Sequence, residues 1–380
     1  MQREKVPMLT PERTSHPFYT YDMIKGIPKA FDVTLDAVQS FEVKQELASD
    51  SPLYFTGNGT AFYAATLGSQ ILNLTNVEWL VAQGFELDHY TRIMPSNVKR
   101  GLAIGVSHSG ITKTTVDALS FVKSRGAQTI GVTHFRDRPI SKAVDKTLIV
   151  ADGPDKSRCH TKTYVTAAAG VFGLLSSKLL PSIFGKDENL RRIRREFEAD
   201  LLSKLELAIA NAEEPARKAA SELHRKVSKI FFAGAGPNIV TAREAALKIK
   251  ETSYLGAEGM ELEEMLHGPA MSFDSGTLVV IISPSGPSVE RSSDLLAAAK
   301  EIGATTLVVS DTTTLSFEGA DYMIRIPSSY EYLSPFLSII PLYFFSYFLA
   351  VEKGNNPDYL RYLDQKYWDA RNIIFPPGTH

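Results

Sequence analysis

Four side chains in one stretch have the types and spacing needed to move protons. Glu244, Lys248 and Glu251 lie at i, i+4 and i+7, and Ala245, Ala246, Leu247 and Ile249 among them favour helix. Gly236-Pro237-Asn238 just upstream can start that helix. On a helix the spacing puts two carboxylates and an amine on one face. His267 follows close behind, before Gly268-Pro269, where a turn exposes its ring. A carboxylate base works near neutral pH only if its environment tunes it. A flanking lysine and a dry pocket both do so, in opposite directions. The competing reading is a solvated helix face carrying one ordinary Glu–Lys pair.

A second group suits an anion. Ser107-His108-Ser109-Gly110-Ile111-Thr112 lies between a strand pattern at 102–106 and a helix pattern at 112–124. Gly110 permits a tight turn. The backbone N–H groups at the helix start and the hydroxyls of Ser107, Ser109 and Thr112 can all donate to one anion. No lysine is needed, because the helix end supplies partial positive charge. His108, between two serines, is a candidate contact to anion or substrate. The alternative is that the hydroxyls merely cap the helix.

The elements that must position these residues recur. An apolar run at 53–57 leads into Gly57-Asn58-Gly59-Thr60-Ala61 and an Ala/Leu-rich helix. Strand patterns follow at 78–82, 102–106, 129–133 and 147–150, then an apolar helix over 164–179. After a charged, periodic stretch from 187 to 229, Lys229-Ile-Phe-Phe-Ala-Gly234-Ala-Gly236 restarts the pattern. The offsets are 177 from Gly57 to Gly234, 176 from Ser107 to Ser283 and 177 from Gly126 to Gly303. Three matching offsets in one order predict a tandem duplication, far longer in period than a solenoid. Strands alternating with helices predict an α/β fold with a mainly parallel, doubly wound sheet in three layers in each half. Ligands in such folds bind beyond the carboxyl ends of the strands. The second turn, Ser283-Pro-Ser-Gly286-Pro287-Ser288, has lost donors to proline and is expected to be degenerate. The expected domains are a lead-in over 1–45 with a short helix around 34–48, a first domain over 46–185, linking helices over 186–228, a second domain over 229–354 and a tail over 355–380.

Composition narrows the function. The chain has 380 residues and 44% hydrophobic content, enough for two domains with large cores. A formal net charge of −2 offers no basic field for nucleic acid. One cysteine, Cys159, excludes an intramolecular disulfide framework and fits a reducing, cytoplasmic compartment. No CxxC or HExxH motif suggests a metal, and Met1-Gln-Arg-Glu-Lys lacks the apolar stretch of a signal peptide. The uncharged stretch 333–351 meets the length criterion for a membrane span. Its prolines and serines, and the lack of a second such stretch, favour a buried core helix over a membrane protein.

At this point the residues resemble the sugar isomerase (SIS) domain family, and within it the tandem isomerase half of the glucosamine-6-phosphate synthases. Gly57-Asn-Gly-Thr-Ala resembles the family's first Gly-Thr-Ser turn, and Ser107-His-Ser-Gly-Ile-Thr its Ser-Gln-Ser-Gly-Glu-Thr phosphate loop. His160-Thr161-Lys162 resembles its Ser-Thr-Lys segment, and 244–268 its catalytic helix and His-Gly segment. The apolar helix ending in Lys353-Gly354 also matches. The resemblance implies that Gly59, Thr60, Ser107, His108, Ser109 and Thr112 hold a sugar phosphate, with His160 beside the substrate. It implies that Glu251 is the base between C1 and C2, that Lys248 and Glu244 support it, and that His267 assists ring opening from the neighbouring subunit of a homodimer with shared active sites. Lys366 is the nearest candidate for the family's tail lysine, although its spacing is off by one and 14 residues follow it. Moving a proton beside a carbonyl needs one base and one electrophile, so no metal or cofactor is expected.

Departures refine the expectation. Asn58 stands for a cysteine, Ala61 for a serine, Ile111 for a glutamate and His160 for a serine. No glutaminase domain or early nucleophilic cysteine is seen, so glutamine is not expected as ammonia donor. The preferred reaction is therefore glucosamine-6-phosphate to fructose-6-phosphate plus ammonia. A deglycase acting on a phosphorylated fructosamine, a plain phosphosugar isomerase and a non-catalytic sugar-phosphate sensor are the alternatives. Cys159 next to His160 is weak support for nucleophilic catalysis, and Tyr254, Tyr343 and Tyr347 read as core or interface.

Overall fold

A computed structural model describes residues 6–9, 11–43, 47, 50–90, 101–151, 153–311 and 317–376. In chain order the elements are α1 (Tyr19–Lys25), α2 (Ile27–Gln39), β1 (Leu53–Gly57), α3 (Thr60–Ser69), β2 (Trp79–Gln83), α4 (Gly84–His89), β3 (Leu102–Val106), α5 (Lys113–Ser124), β4 (Gln128–Thr133), α6 (Pro139–Ala143) and β5 (Lys146–Ile149). There follow α7 (Lys162–Gly173), α8 (Pro181–Lys186), α9 (Glu188–Arg195) and α10 (Leu201–Leu223). The second half holds β6 (Lys229–Gly234), α11 (Asn238–Thr252), β7 (Gly256–Glu261), α12 (Leu262–Leu266), β8 (Thr277–Ile282), α13 (Val289–Ile302), β9 (Thr305–Ser310), β10 (Tyr322–Arg325), α14 (Ser334–Glu352) and α15 (Gln365–Ile374).

The chain divides into two compact units. The first comprises Gly26–Asp155, Lys162–Asp200 and the chain from Asn372; the second comprises the described residues up to Lys25, Lys156–Thr161 and Leu201–Arg371. The charged stretch expected to link the halves is thus shared, with α9 in the first unit and α10 in the second. The segment 156–161, expected within the first domain, groups with the second unit. There Arg158 N–H donates to the Asp358 carbonyl at 2.8 Å and Ser157 Oγ accepts from Thr20 Oγ1 at 2.8 Å. The expected helix at 34–48 runs instead over Ile27–Gln39, started by Pro28 in its first turn; residues 44–46 and 48–49 lie outside the described residues.

Each unit carries one five-stranded, wholly parallel sheet. The orders are β2-β1-β3-β4-β5 and β10-β9-β8-β6-β7, the same topology read in opposite directions. The expected duplication is therefore physical. Even its side-chain clamps are repeated: Asp145 Oδ2 accepts from the Thr129 N–H and hydroxyl at 2.9 Å, and Asp321 Oδ2 accepts from Thr306 N–H and hydroxyl at 2.8 and 2.9 Å. Lys123 pairs with Asp145 at 2.8 Å and Lys300 with Asp321 at 2.6 Å.

Central strands such as Leu102–Val106 and Thr277–Ile282 are buried along their whole length because helices cover both faces of a parallel sheet. In the first unit Tyr54 and Ala103 pack with Leu87, Leu119, Val122 and Ile140 of α4–α6. In the second, Phe231, Val279 and Ile281 pack with Leu262, Met265, Leu295 and Ala299 of α12 and α13. The apolar stretch near 333–351 is α14. It is the one described helix long and apolar enough to cross a membrane, and 94% of its apolar window is buried inside the protein. Packed between α10 and α11, it needs to be apolar on every side.

Candidate active site

Helix α11 carries the candidate proton-transfer group. It is pressed onto the sheet where β7 runs beside it: a Cβ on Gly259 would fall 2.2 Å from the Ala242 carbonyl, so only glycine allows that approach. Its other side faces α14, to which Thr252 Oγ1 is joined through Ser346 Oγ at 2.9 Å. Burial from both sides settles the competing reading of the helix face. The side chains of Glu244 and Lys248 are 0% and 1% exposed, and Glu251 is 22% exposed.

Lys248 Nζ lies 2.6 Å from Glu251 Oε2 and 3.3 Å from Glu244 Oε1. Burial is the largest influence on this ammonium and pulls its pKa down. The Glu244 and Glu251 carboxylates outweigh it, with smaller help from Cys159, so the net shift is upward and Lys248 stays charged. Tyr343 Oη on α14 donates to Glu244 Oε1 at 3.3 Å. Cys159 Sγ donates to Glu251 Oε2 at 3.8 Å. One carboxylate is thus sealed in beneath the lysine, and the other is held by the same ammonium at the edge of solvent.

Glu251 opens onto a cavity of about 370 Å³ lined also by Tyr254, Leu360, Arg361, Tyr362 and Tyr367. Tyr254 and Leu360 both adopt left-handed backbone, φ 58° and 57°, which is uncommon without glycine. The Tyr254 hydroxyl donates to the Leu360 carbonyl, joining the two. Burial, partly offset by Arg361, raises the Tyr254 phenol. Tyr254, expected in a core or interface, is therefore a cavity wall, whereas Tyr343 and Tyr347 are buried as expected. Lys366, the expected tail lysine, stands in the first turn of α15, 70% exposed and 3.5 Å from Asp364. It does not line the cavity, while Arg361, Tyr362 and Tyr367 around it do.

His267 follows α12 with its side chain 69% exposed, and Nε2 lies 3.1 Å from Glu263 Oε1. Arg291 hydrogen bonding, followed by that of His267, holds Glu263 down at about 2. A permanently charged carboxylate therefore orients this ring.

In the first unit the candidate anion turn links β3 to α5. Gly110 has φ 71°, and a Cβ there would meet the Arg138 side chain at 2.6 Å. Ser107 Oγ accepts from the Gly110 N–H at 3.0 Å and donates to Thr112 Oγ1 at 3.1 Å, so these two hydroxyls shape the turn as well as lining it. Ser109 Oγ faces the Ile111 N–H at 3.4 Å. His108 is buried with its ring 5.3 Å from that of His134, which itself bonds Thr166 at 2.9 Å. Gly59 and Thr60 begin α3. Asn58, one of the departures from the family pattern, ties the Gly-rich turn to α5. Its Nδ2 donates at 2.9 Å to both the Thr114 and Thr115 hydroxyls. Ser107, His108, Ser109, Thr112, Gly59 and Thr60 thus belong to the first unit. Glu244, Lys248, Glu251, His267, Lys366 and the half-buried His160 belong to the second.

The second Ser-x-Ser-Gly turn has been filled from within. The Ser285 N–H donates to Asp311 Oδ1 at 2.5 Å, and the Glu331 carboxylate lies 3.4 Å from where a Gly286 Cβ would stand. Burial raises the Glu331 carboxyl. Two carboxylates where an anion would sit account for the expected degeneracy.

Two segments of the chain, 46–172 and 223–353, match the SIS domain family. The chain belongs to the SIS domain family. It is 32% identical over 346 residues to the isomerizing glutamine–fructose-6-phosphate aminotransferase of Pyrococcus horikoshii, covering 90% of this chain and 56% of that protein. The isomerizing aminotransferase 2 of Homo sapiens is 31% identical over 317 residues, covering 82% and 45%. This SIS protein thus spans about half the length of these relatives. Among solved structures, the C-terminal domain of glucosamine-fructose-6-phosphate aminotransferase from Francisella tularensis superposes with a TM-score of 0.74 at 19% identity, covering 92% of this chain and 99% of that one. Glucosamine-6-phosphate deaminase from Thermotoga maritima gives 0.72 at 22% identity, covering 91% and 97%. Both share its fold.

Proposed function

We propose that this SIS protein is a phosphosugar enzyme of the aldose–ketose isomerase type that releases an amine, its simplest reaction being glucosamine-6-phosphate to fructose-6-phosphate and ammonia. The observation that carries this reading is the Lys248-centred cluster. Of its two carboxylates, Glu251 alone reaches solvent while bonded to a buried ammonium. In the open-chain aldose, Glu251 takes the proton from C2 and returns it at C1. This leaves an imine at C2 that water hydrolyses to the ketose and ammonia. Lys248, backed by Glu244 and Tyr343, fixes the charged carboxylate, and Cys159 orients it. The phosphate role falls to Gly59, Thr60, Ser107, His108, Ser109 and Thr112. His160 and Lys366 remain candidates beside the sugar.

The single cysteine of these 380 residues, Cys159, is buried and donates to Glu251. Exposed His267, oriented by Glu263, is suited to serve the site of a second copy in a homodimer. Incubation with glucosamine-6-phosphate should yield ammonia and fructose-6-phosphate in equal amounts. Glu251→Gln should lower kcat about a thousandfold, the scale of a general base, while sugar-phosphate binding persists. Turnover unchanged by Glu251→Gln would overturn the assignment. Binding without turnover in either protein would indicate a sensor.

A further inference from the structure

We propose that Tyr362 is the electrophile of the proton transfer, its hydroxyl donating to the sugar's carbonyl oxygen while Glu251 works on the neighbouring carbon. This rests on the phosphosugar reading above and goes further by naming the second catalytic residue. The expected tail lysine is not placed for that part, since Lys366 is 70% exposed and does not line the cavity.

Tyr362 and Glu251 share the wall of the cavity of about 370 Å³. Among the described residues the Tyr362 hydroxyl makes no hydrogen bond, so its proton is available. The other two tyrosines of the wall serve Arg361. Its guanidinium lies 4.3 Å from the Tyr367 ring centre and 5.0 Å from that of Tyr254, and the Tyr254 hydroxyl is already given to the Leu360 carbonyl. The Tyr362 ring is held instead by Trp368, a buried side chain that meets it edge-on at 5.8 Å and 72°. The same indole gathers two guanidiniums, Arg371 at 5.0 Å and Arg158 at 5.6 Å from its ring centre. Burial is the largest influence on the Tyr362 phenol and raises it. Arg371 pulls it down, the Glu251 charge raises it and Arg158 pulls it down, and the net shift is upward. The phenol therefore stays protonated as a donor, yet it stands among cations that favour negative charge on it as the proton leaves.

The step balances in protons and electrons. Glu251 takes the proton from C2 of the open-chain amino aldose and the C1–C2 double bond forms. The C1 carbonyl electrons move onto O1, which takes the Tyr362 proton. Glu251 then returns its proton to C1, the nitrogen lone pair closes onto C2, and the Tyr362 phenolate recovers a proton from the resulting iminium. The product is the C2 imine that water hydrolyses. Without the phenol, O1 would carry the developing charge alone.

The test is titration calorimetry of the full chain with two sugar-phosphate analogues. One is the hydroxamate of an aldonic acid phosphate, which mimics the planar, oxygen-charged intermediate. The other is the open-chain alditol phosphate, which has no such oxygen. The wild-type protein is expected to bind the hydroxamate about a hundredfold more tightly. Tyr362→Phe keeps the ring against Trp368 and should cut that preference about tenfold, with alditol affinity within about twofold of wild type. In turnover it should lower kcat about a hundredfold with KM nearly unchanged. Arg371→Gln, which serves if Tyr362→Phe fails to fold, should cut the preference about threefold. A preference that survives Tyr362→Phe would overturn the proposal, as would its loss in Tyr367→Phe but not in Tyr362→Phe. Equal weakening of both analogues would mean a merely structural role and overturn it too. Equal affinities in the wild type, or no binding of either, would overturn it together with the Glu251 proton-transfer reading. An intact preference, lost in Tyr362→Phe, in a protein that releases no ammonia would support Tyr362 and remove only the leaving group.

Discussion

Replacing Lys248 by methionine should destabilise the second unit more than its size suggests. Methionine fills similar space, so the cost is electrostatic. Glu244, with a side chain 0% exposed, loses the ammonium 3.3 Å away, and Glu251 loses the one at 2.6 Å. Removing one partner of a buried ion pair costs about 3–5 kcal/mol. For a unit of this size that lowers its melting point by about 6–20 °C. The loss should depend on pH in a fixed direction. In the wild type the pKa of Lys248 is raised, so its stabilisation is present below the unfolded value of about 10.4 and is lost only as pH rises through the still higher folded value. Between pH 5 and 8 it is therefore constant. In Lys248→Met the Glu244 carboxyl is buried without a cation and favours its protonated form. The folded state then keeps a proton that the unfolded state releases above about pH 4.3, so stability falls as pH rises from 5 to 8. Adding Glu244→Gln should flatten that slope and recover more than half of the lost stability, because the stranded charge is gone. Calorimetric scans at pH 5, 6, 7 and 8 on the wild type, Lys248→Met, Glu244→Gln and the double variant make the comparison. A double variant as unstable as the sum of its singles, with no slope in the single, would mean that packing and not charge holds α11 in place.

Other outcomes follow from the same geometry. Asp145→Asn and Asp321→Asn each loosen one copy of the repeated clamp at a half-exposed site, so each should cost about 1 kcal/mol, measured as a lower midpoint for its own unit. Both carboxyls are desolvated, but their lysine and threonine hydrogen bonds lower them further than burial raises them. That stabilisation is present above the unfolded carboxyl value and lost only as pH falls below about 4. Ser107→Ala removes the acceptor of the Gly110 N–H and the donor to Thr112. It should raise KM for a sugar phosphate about tenfold, the worth of a charge-assisted hydrogen bond, with a smaller change in kcat. Glu251→Gln and His267→Ala, each inactive alone, should regain up to about a quarter of wild-type activity when mixed with confirmed subunit exchange, from the random pairing expected of shared sites. No recovery would refute the shared site.

The legible part of the fold was the buried part. Leu102–Val106 and Thr277–Ile282 read as strands because every residue is covered, so the apolar run is unbroken. Two strands escaped notice, β7 (Gly-Ala-Glu-Gly-Met-Glu) and β10 (Tyr-Met-Ile-Arg), and both are edges of the second sheet. An edge strand there is held by one neighbour's backbone and needs no apolar run, so its residues carry little strand signal. The lead-in failed differently. Its helix starts at Ile27 with Pro28 in the first turn, a start signal that the expected helix around 34–48 passed over. The internal offset survived in elements as unlike as Trp79–Gln83 and Gly256–Glu261. β2 pairs with β1 and β7 with the equivalent β6, so that Gln83 stands beside Gly57 as Glu261 stands beside Gly234.

For the site, spacing along α11 predicted which residues share a face but treated Glu244 and Glu251 alike. Each is within four residues of Lys248, and one ammonium serves both. What separates them is α14, some hundred positions away in sequence. Tyr343 closes over Glu244, while the chain leaves α11 soon after Glu251 and turns through left-handed Tyr254 to open the cavity. The helix pattern thus supplies the pair, and a distant apolar helix decides which member reaches solvent. Neither the Cys159 contact nor the aromatic seat of Arg361 has any counterpart in local spacing. They depend on segments around 159 and 361 folding back onto the second unit.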